Sequence, residues 1–510
     1  MQIVILAIYC ILIVILGFYS IHAYLMLYYY FKERKNRSHQ RKPRCRNQDL
    51  PYVTIQLPMY NEKYVAERLI NSACAVDYPK DRLEIQILDD STDETTFIVK
   101  RLVEKYQDLG FNIVLLHRNI RKGYKAGALD AGMKKAKGEF IAIFDADFII
   151  PRNFLKKTIP YFKNEKVGAV QTRWGHINKN YSVLTLGQAI ALDGHFYIEQ
   201  NIRSRKDFFL NFNGTCGIWR KSAILEAGGW HDDTLTEDLD LSYRAQLKGW
   251  KIEFISDIVC PGEVPVDFNG FRKQQFRWTK GAFETARKLL PAVIKSNLAP
   301  LKKLEAFIHL TNNMVFPILL CLTLLSLPIL IIKIENGQSL SWYFGILSIF
   351  TIAVFPYPIL YGIAQRDLYH KRTRKKKFSW QKIFEKFVPI LLIGGFVSLS
   401  LSNTWAIITA FRKKPTEFTR TPKFRITSKK DTLSGKKYQE KIAPIVFIEL
   451  IITLYLLVTT TYAFIESQYT LAPFLLLYTL GFGYLSVASI YQTASNYFTF
   501  VYQAEKALVD

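Results

Sequence analysis

The sequence lacks the residue patterns of several common classes of protein. Its six cysteines are scattered without a C-x-x-C pair, so neither a zinc site nor a disulfide framework is indicated. No G-x-G-x-x-G turn follows the first predicted strand, and no Walker A sequence occurs, which excludes a Rossmann dinucleotide site and a P-loop. Any phosphate that this chain binds must therefore be held by metal ions and basic side chains.

Apolar residues make up 49 % of the chain and are concentrated towards its two ends. The first apolar run is long for a signal peptide and has neither a basic n-region nor a cleavage site, which predicts an uncleaved transmembrane helix. The composition divides the chain into an N-terminal transmembrane helix, a soluble α/β domain, a transmembrane hairpin, a basic cytosolic or interfacial segment, and a second hairpin with a short tail: 1–30, 31–304, 305–365, 366–441 and 442–510.

Each arm of the two hairpins is long enough to cross a bilayer as a helix. The arms are residues 305–332, 341–363, 442–465 and 471–493. The formal net charge of +25 comes mainly from basic residues that flank the apolar segments. That distribution is the positive-inside pattern of membrane proteins, and it argues against nucleic acid as a partner. It places the soluble domain and the basic segment in the cytosol.

Residues 387–411 form a further apolar stretch between two strongly basic segments, 366–386 and 412–441. Both basic segments are predicted to be cytosolic, so an even number of membrane crossings must lie between them. A stretch of this length is too short for two helical crossings. We therefore expect residues 387–411 to lie at the interface or to enter the membrane and return. The alternative is a single crossing that places 412–441 outside.

The soluble domain is predicted to be an α/β unit with a mostly parallel sheet. Apolar stretches at 52–57, 83–88, 112–116 and 140–144 are predicted strands, with helices between them, one of which covers 62–75. Alternating strands and helices are typical of parallel strands joined by right-handed crossovers.

Acidic residues follow two of these strands. Asp89 and Asp90 come after the second, and Asp145 and Asp147 come after the fourth. Ligands of open α/β sheets bind beyond the carboxyl ends of the strands, so these side chains are expected at one rim. Two carboxylates one residue apart can share a hard divalent cation with a diphosphate. The alternatives are a solvated turn for the second pair and a helix cap for Asp89.

Three further stretches of the soluble domain carry candidate functional residues. The loop at 212–217, FNGTCG, contains glycines that let a backbone approach a ligand closely. A Thr-Glu-Asp sequence at 236–238 follows a turn-rich stretch. The third, QQFRW, lies in a predicted helix whose spacing places Gln274, Arg277 and Trp278 on one face.

Four of these motifs match, in order, the D, DxD, TED and QxxRW signature of glycosyltransferase family 2: Asp89-Asp90, Asp145-Ala146-Asp147, Thr236-Glu237-Asp238 and QQFRW. With the membrane hairpin that follows, the chain resembles the membrane-embedded β-glycan synthases of the cellulose synthase superfamily. Its size and its KPTEFTRTPKF segment are similar to the cellulose synthase-like mannan and glucomannan synthases. Residues 418–423 resemble the FxVTxK gating loop, although Arg420 stands where that motif has valine.

The resemblance implies a GT-A fold with a sugar nucleotide bound across the sheet rim, and an inverting, metal-dependent hexosyl transfer. It implies that Asp145 and Asp147 hold Mg²⁺ or Mn²⁺. The residues implied to bind the nucleotide sugar are Tyr60, Glu62, Asp89, Asp90, Lys125, Asp145, Gln274 and Arg277. Those implied at the acceptor are Trp278, Gly214, Thr215 and Glu237, and those of the gating loop are Phe418, Thr421 and Lys423.

An inverting transfer needs one base, which takes the proton of the acceptor hydroxyl, and Asp238 is the candidate. A partly desolvated carboxylate can have its pKa raised towards neutrality. Trp278 offers a flat apolar face to a sugar ring. Trp174 and His176 are further candidates for the acceptor site, with core packing of the tryptophan and a structural role for the histidine as equal alternatives.

The expected function is the polymerisation of a β-linked glucan, mannan or glucomannan from UDP-glucose or GDP-mannose at the cytosolic face of a bacterial cytoplasmic membrane. The growing polysaccharide would pass through the protein's own helices, with or without accessory export subunits. One alternative is the transfer of a single sugar to a membrane lipid. Another is a non-catalytic channel or scaffold, against which the complete set of acidic motifs argues.

The predicted membrane topology can be tested at Ser428. A Ser428→Cys variant should resist a membrane-impermeant thiol reagent in intact cells and react after lysis, because residues 412–441 are expected in the cytosol. A cysteine at Ser467, in the joint of the second hairpin, should react in intact cells and serves as the control. Labelling at position 428 before lysis would favour the single crossing.

Overall fold

The computed structural model describes residues 1–35, 50–349, 352, 355–373, 394–412, 417–433, 435–438 and 441–509. Several predicted features fall partly outside these ranges. They are the basic residues at 36–46 and 374–386, and the first part of the apolar stretch, 387–393.

Seven strands of the described chain form one sheet. They are β1 Val53–Met59, β2 Leu83–Asp89, β3 Ile113–His117, β4 Phe140–Ile143, β5 Val167–His176, β6 Gly217–Arg220 and β7 Lys251–Gly262. Their spatial order is β3-β2-β1-β4-β6-β5-β7. Strand β6 is antiparallel to both of its neighbours and the other pairs are parallel. The predicted α/β class with a mostly parallel sheet is therefore confirmed.

Helices surround the sheet and continue into the C-terminal half. They are α1 Gln2–Lys35, α2 Ala66–Cys74, α3 Thr95–Asp108, α4 Tyr124–Lys135, α5 Phe154–Thr158, α6 Val183–Gly194, α7 Asn201–Arg205, α8 Lys221–Glu226, α9 Glu237–Leu247, α10 Phe268–Lys295, α11 Pro300–Thr311, α12 Val315–Asn336, α13 Ser341–Ile349, α14 Pro356–Thr373, α15 Ser400–Ala410, α16 Ile445–Ile465 and α17 Ala472–Val509. A π-helical turn, His195–Gln200, joins α6 to α7. The helix predicted over 62–75 is α2.

Strand β1 lies in the centre of the sheet, and both of its faces are buried. Val53, Ile55 and Leu57 belong to the apolar core on one face, which also contains side chains of α2 and α3. On the other face, Thr54 donates to Glu84 of β2 at 2.7 Å, and Gln56 forms a hydrogen bond with Gln86 of the same strand at 3.0 Å. A buried polar group is tolerated when it is hydrogen-bonded, so these cross-strand pairs let a central strand carry polar residues.

Four helices of the described chain are long and apolar enough to cross a membrane: Gln2–Arg34, Pro300–Asn336, Ile445–Ile465 and Ala472–Ser495. They correspond to the predicted N-terminal helix, the first arm of the first hairpin and both arms of the second. The remaining predicted arm, 341–363, is divided between α13 and α14. Helix α13 has nine residues, too few to span a bilayer alone. A crossing at 341–363 therefore stays a prediction.

The described part of the apolar stretch 387–411 is a 3₁₀ turn, Gly394–Leu399, followed by α15. Helix α15 contacts α10 and α12. Its eleven residues are too few for a helical crossing. The path of the whole stretch stays a prediction, because its first residues are not described.

A buried ion pair joins the soluble domain to the C-terminal helices. Arg272 of α10 donates from Nη2 to Glu449 Oε2 of α16 at 2.7 Å and from Nε to Oε1 at 3.2 Å. Its guanidinium also donates to Ser489 of α17 and to Asn269. Because α10 carries the QQFRW motif, these contacts of Arg272 fix the motif relative to two of the candidate membrane helices.

Removing one partner of this pair should be costly. Glu449→Ala should destabilise the protein by about 3 kcal/mol or more, because it leaves the Arg272 guanidinium buried without its carboxylate. Thermal unfolding of the detergent-solubilised protein measures the effect. The double variant Arg272→Met, Glu449→Met should recover much of the loss. Lys134→Ala, which breaks an exposed pair with Asp130, is the control and should change stability by about 0.5 kcal/mol or less. Equal unfolding temperatures for Glu449→Ala and the wild type would contradict this assignment.

Candidate active site

The carboxyl ends of β1, β2 and β4 border a cavity of about 440 Å³. That volume lies within the usual range of small-molecule sites. Most of the candidate residues line it: Tyr60, Glu62, Asp90, Lys125, Asp145, Asp147, Gly214, Glu237, Asp238, Gln274, Arg277, Trp278, Phe418, Thr421 and Lys423. Motifs that lie far apart in the sequence are thus brought to one place, and their individual roles stay predictions.

Asp89 and Thr215 do not line this cavity, contrary to the ligand contacts expected for them. Both are fully buried. Asp89 accepts a hydrogen bond from Thr96 Oγ1 at 2.7 Å and shares one with His117 Nδ1 at 2.9 Å. Thr215 Oγ1 accepts from the backbone N–H of Asp145 at 2.8 Å. Each is therefore hydrogen-bonded to the chain beside an acidic residue at the rim, and their ligand contacts stay predictions.

Two arginines after β3 contact the nucleotide candidates and were missed in the sequence. Arg118 binds Asp90 in a bidentate pair, with Nε to Oδ1 at 2.7 Å and Nη2 to Oδ2 at 2.5 Å. The guanidinium carbon of Arg121 lies 3.6 Å from the centroid of the Tyr60 ring and 4.9 Å from that of Tyr124. Their only signal in the sequence is that two basic residues follow a strand that ends at this rim.

Lys125 connects three of the motifs. Its Nζ lies 2.7 Å from Asp145 Oδ1, 2.9 Å from the Gly214 carbonyl oxygen and 3.6 Å from Glu237 Oε1. Burial by itself lowers the pKa of Lys125, but Asp145 and Glu237 outweigh that effect and raise it above its usual value. The side chain is therefore an ammonium group at neutral pH, and it neutralises part of the charge of the carboxylates around it.

The glycine of the FNGT loop is required by its position. Gly214 has a φ of +74°, and a Cβ added there would lie 2.8 Å from Asp238 Oδ2 and 3.2 Å from Lys125 Nζ. A side chain would therefore meet both strain and a clash. The backbone of this loop can approach Asp238 only because residue 214 is glycine.

Asp238 lies in the first turn of α9, where its Oδ1 accepts the backbone N–H of Leu239 at 2.8 Å. Burial and the neighbouring Glu237 raise the pKa of Asp238 to about 7, against the opposing effects of Lys125, the Leu239 hydrogen bond and Arg277. A carboxyl group with that pKa exists in both protonation states near neutral pH. This is the property that a general base needs.

Asp145 and Asp147 fit a divalent cation by their chemistry. Both present carboxylate oxygens on the cavity wall. Each already attracts an ammonium group: Lys125 at Asp145, and Lys423 at Asp147, where Nζ lies 2.8 Å from Oδ2. Hard oxygen donors in a negative potential are what Mg²⁺ and Mn²⁺ bind. A cation at this pair would share Asp147 with Lys423 or displace its ammonium group.

The segment 418–423, which resembles the gating loop, contributes Phe418, Arg420, Thr421 and Lys423 to the lining of the cavity. The Phe418 ring stacks on Tyr124, with centroids 6.0 Å apart, and the Arg277 guanidinium carbon lies 4.5 Å from its centre. Arg420, the residue that departs from the motif, lies 3.4 Å from Glu62 Oε2. Burial raises the pKa of Glu62 to about 8, although Arg420 opposes the shift. Glu62 therefore lies beside a cation of this segment.

The fold and this cavity define the class: a GT-A-type glycosyltransferase domain attached to apolar helices. Residues 51–281 match the family described as glycosyltransferase like family 2. This is the family that the four motifs predicted.

Two rice proteins have sequences similar to this chain. Over 254 residues the chain is 47 % identical to probable glucomannan 4-beta-mannosyltransferase 2 and 44 % identical to glucomannan 4-beta-mannosyltransferase 1, both of Oryza sativa subsp. japonica. Each match covers 48 % of this chain, with 43 % and 48 % of the two relatives, so the aligned region is about half the length of the relatives.

A solved structure shares the fold. The chain aligns with the mannosyltransferase PcManGT from Pyrobaculum calidifontis, a complex with GDP-Man and Mn²⁺, at a TM-score of 0.51 and 19 % identity. The alignment covers 80 % of this chain and 99 % of that one. At this level of sequence identity, the similarity shows a shared fold alone.

The metal assignment can be tested on binding alone. Asp147→Ala should weaken Mn²⁺-dependent binding of a nucleoside diphosphate roughly tenfold or more, because it removes one of two carboxylate ligands. Isothermal titration of the purified protein with GDP and UDP, each with and without Mn²⁺, measures the change. Asp108→Ala, which removes an exposed carboxylate of α3 outside the cavity, is the control. Unaltered affinity in Asp147→Ala would show that the cation binds elsewhere.

Proposed function

We propose that the protein is an inverting, metal-dependent glycosyltransferase that polymerises a β-linked mannan or glucomannan at the cytosolic face of a membrane and passes it through its helices. The observation that carries the proposal is that Asp90, Asp147, Asp238 and Trp278, from four motifs, line one cavity. The names of the relatives support a mannosyl donor, so GDP-mannose is the preferred substrate, with UDP-glucose as the alternative.

The residues of the cavity account for each requirement of the reaction. Mg²⁺ or Mn²⁺ held by Asp145 and Asp147 would supply positive charge to the leaving diphosphate. Arg277 adds a fixed cation in the same cavity. The acceptor hydroxyl oxygen bonds to the anomeric carbon as the bond from that carbon to the diphosphate breaks, and the proton of the hydroxyl passes to Asp238. Trp278 supports the apolar face of the acceptor ring.

The cavity extends to the membrane helices, which supports passage of the product. His309, near the end of α11, and Asn313, just before α12, both line it. These residues belong to the candidate span Pro300–Asn336. A chain extended at Trp278 would therefore lie close to the helical domain. The contacts of Lys423 and Arg420 with the cavity support a cytosolic location for 412–441, as part of the domain division that the sequence predicts. A bacterial cytoplasmic membrane remains the predicted location, although the named relatives are plant proteins.

A second candidate is the transfer of one sugar to a membrane lipid, which the proximity of Asn313 to α12 favours. A non-catalytic channel is less suited, because a pore does not need a carboxylate pair for a metal beside a carboxyl group with a pKa near 7. Incubating the purified protein with GDP-mannose or UDP-glucose and either metal, and then sizing the product, distinguishes polymer from glycolipid.

Asp238→Asn should abolish sugar transfer and leave nucleotide-sugar binding largely intact, because it removes a proton acceptor and no metal ligand. Radiolabelled product and titration of GDP-mannose measure the two properties. Asp108→Asn is the matched control outside the cavity. A variant that retains more than a few per cent of the turnover would rule out Asp238 as the base.

The pH profile should report the same group. Because the folded-state pKa of Asp238 is raised to about 7, its carboxyl is protonated below that pH and cannot accept a proton. We expect kcat/KM to rise with pH up to about 7 and then to level. Glu237→Gln removes a neighbour that raises this pKa and should move the rising limb to lower pH. A profile that is flat between about pH 5 and 8 contradicts the assignment.

A further inference from the structure

The end of β5 carries two ring side chains on the wall of the cavity. Trp174 and His176 are two residues apart on one strand, so they share a face, and both line the cavity. Gly175, between them, faces β7, where an added Cβ would lie 2.7 Å from Val259 Cγ1. A side chain at position 175 would therefore clash with β7.

Three neutral side chains of the cavity lining have a buried polar atom without a hydrogen-bond partner among the described residues: Trp174 Nε1, His176 Nε2 and Asn211 Oδ1. Four charged side chains of the same lining also have one such atom each: Glu62, Arg121, Arg277 and Arg420. The His176 side chain is only 4 % exposed. Asp193 Oδ1 lies 3.8 Å from His176 Nε2, too far for a hydrogen bond. Buried polar groups are costly when they stay unpaired, so three of them on one cavity wall indicate a ligand that carries hydrogen-bonding groups.

Aromatic rings adjoin these polar atoms. The Trp174 ring centroid lies 5.3 Å from that of Phe148 and 5.0 Å from that of Phe196, and both phenylalanines line the cavity. A wall of rings with a few neutral polar groups can bind a pyranose, whose C–H faces are apolar and whose edge carries hydroxyl groups.

The lysine and arginine side chains that line the cavity contact other candidate residues. Each of them contacts a residue of the nucleotide, metal or gating-loop set: Lys125 with Asp145, Lys423 with Asp147, Arg420 with Glu62, Arg121 with Tyr60, and Arg277 with Phe418. Burial lowers the pKa of His176 to about 4, so its imidazole is neutral at pH 7. A neutral imidazole can donate or accept one hydrogen bond, but it cannot form an ion pair with a phosphate.

We propose that Trp174, His176 and Asn211 form a binding subsite for a neutral sugar ring of the acceptor, in the same cavity as Trp278. The subsite rests on the proposed glycosyltransferase function and deepens it, because it makes the acceptor a glycan and not a lipid phosphate. Trp174 donates its indole N–H to a hydroxyl oxygen, and Asn211 Oδ1 accepts from a hydroxyl group. His176 Nε2 donates or accepts a hydrogen bond, depending on the tautomer of the ring.

The experiment compares two ligands on the full-length protein in detergent. Trp174→Phe keeps an aromatic ring and removes the N–H, and His176→Leu removes both ring nitrogens. Each should weaken the binding of β-1,4-linked mannohexaose and cellohexaose about fivefold, the size expected for one lost hydrogen bond. Binding of GDP-mannose with Mn²⁺ should stay unchanged, which also shows that the variants are folded.

The matched control is Trp230→Phe. Trp230 is also a buried tryptophan whose Nε1 has no partner among the described residues, but it belongs to the apolar core and does not line the cavity. Its substitution should leave the affinity for both hexasaccharides and for GDP-mannose unaltered. If Trp230→Phe lowered the hexasaccharide affinity as much as Trp174→Phe does, the proposal would be overturned. The loss of affinity would then come from general destabilisation of the protein.

The possible outcomes test the sugar subsite and the proposed transferase activity separately. Hexasaccharide affinities that are equal in wild type, Trp174→Phe and His176→Leu overturn the subsite, even where sugar transfer is observed. Displacement of a bound hexasaccharide by farnesyl phosphate, with the loss of farnesyl phosphate binding in the same two variants, overturns it in favour of a lipid acceptor. Wild-type protein that binds no sugar nucleotide, yet binds the hexasaccharides through Trp174 and His176, supports the subsite and refutes the proposed transferase.

Discussion

The site depends on one ammonium group placed among carboxylates. Asp145 follows β4, and Glu237 and Asp238 begin α9, so their like charges would repel one another in a partly buried cavity. Lys125 lies within 2.7 Å of the first and 3.6 Å of the second, and it is also hydrogen-bonded to the Gly214 carbonyl. It therefore holds the sheet rim, the glycine loop and the start of α9 together. The same arrangement leaves Asp238 with a pKa of about 7, because burial and Glu237 outweigh the stabilisation that Lys125 provides.

Helix α10 connects the cavity to the candidate membrane helices. Arg272, at its beginning, is paired with Glu449 of α16, and Arg277 and Trp278 face the cavity less than two turns further on. The segment 418–423 lines the same cavity and contacts Tyr124 through Phe418 and Asp147 through Lys423. The cavity is therefore bordered both by the sheet rim and by elements of the C-terminal half of the chain.

The sheet and the order of the motifs could be predicted because their signals are local. Four short apolar stretches become β1 to β4, and the acidic residues that follow them reach the cavity because parallel strands end at one rim. The sequence did not show which of two neighbouring polar residues lies on the cavity wall. Asp90 faces the cavity, whereas Asp89 is turned towards Thr96 and His117. Thr215 likewise points to the backbone of Asp145, behind the wall. Which of two adjacent polar residues faces a ligand depends on strand pairing and loop packing, and a motif does not record either.

The amino-acid sequence by itself determined the α/β class, the apolar helices and the four motifs of the glycosyltransferase family, because periodicity and spacing are properties of short segments. Only the tertiary structure decided that Arg118 pairs with Asp90, that Lys423 lies on Asp147, and that Trp174 and His176 share a wall with Asn211. These contacts join residues that are up to 276 positions apart. They arise from how loops and helices pack over the sheet, where no local pattern in the chain specifies the partner.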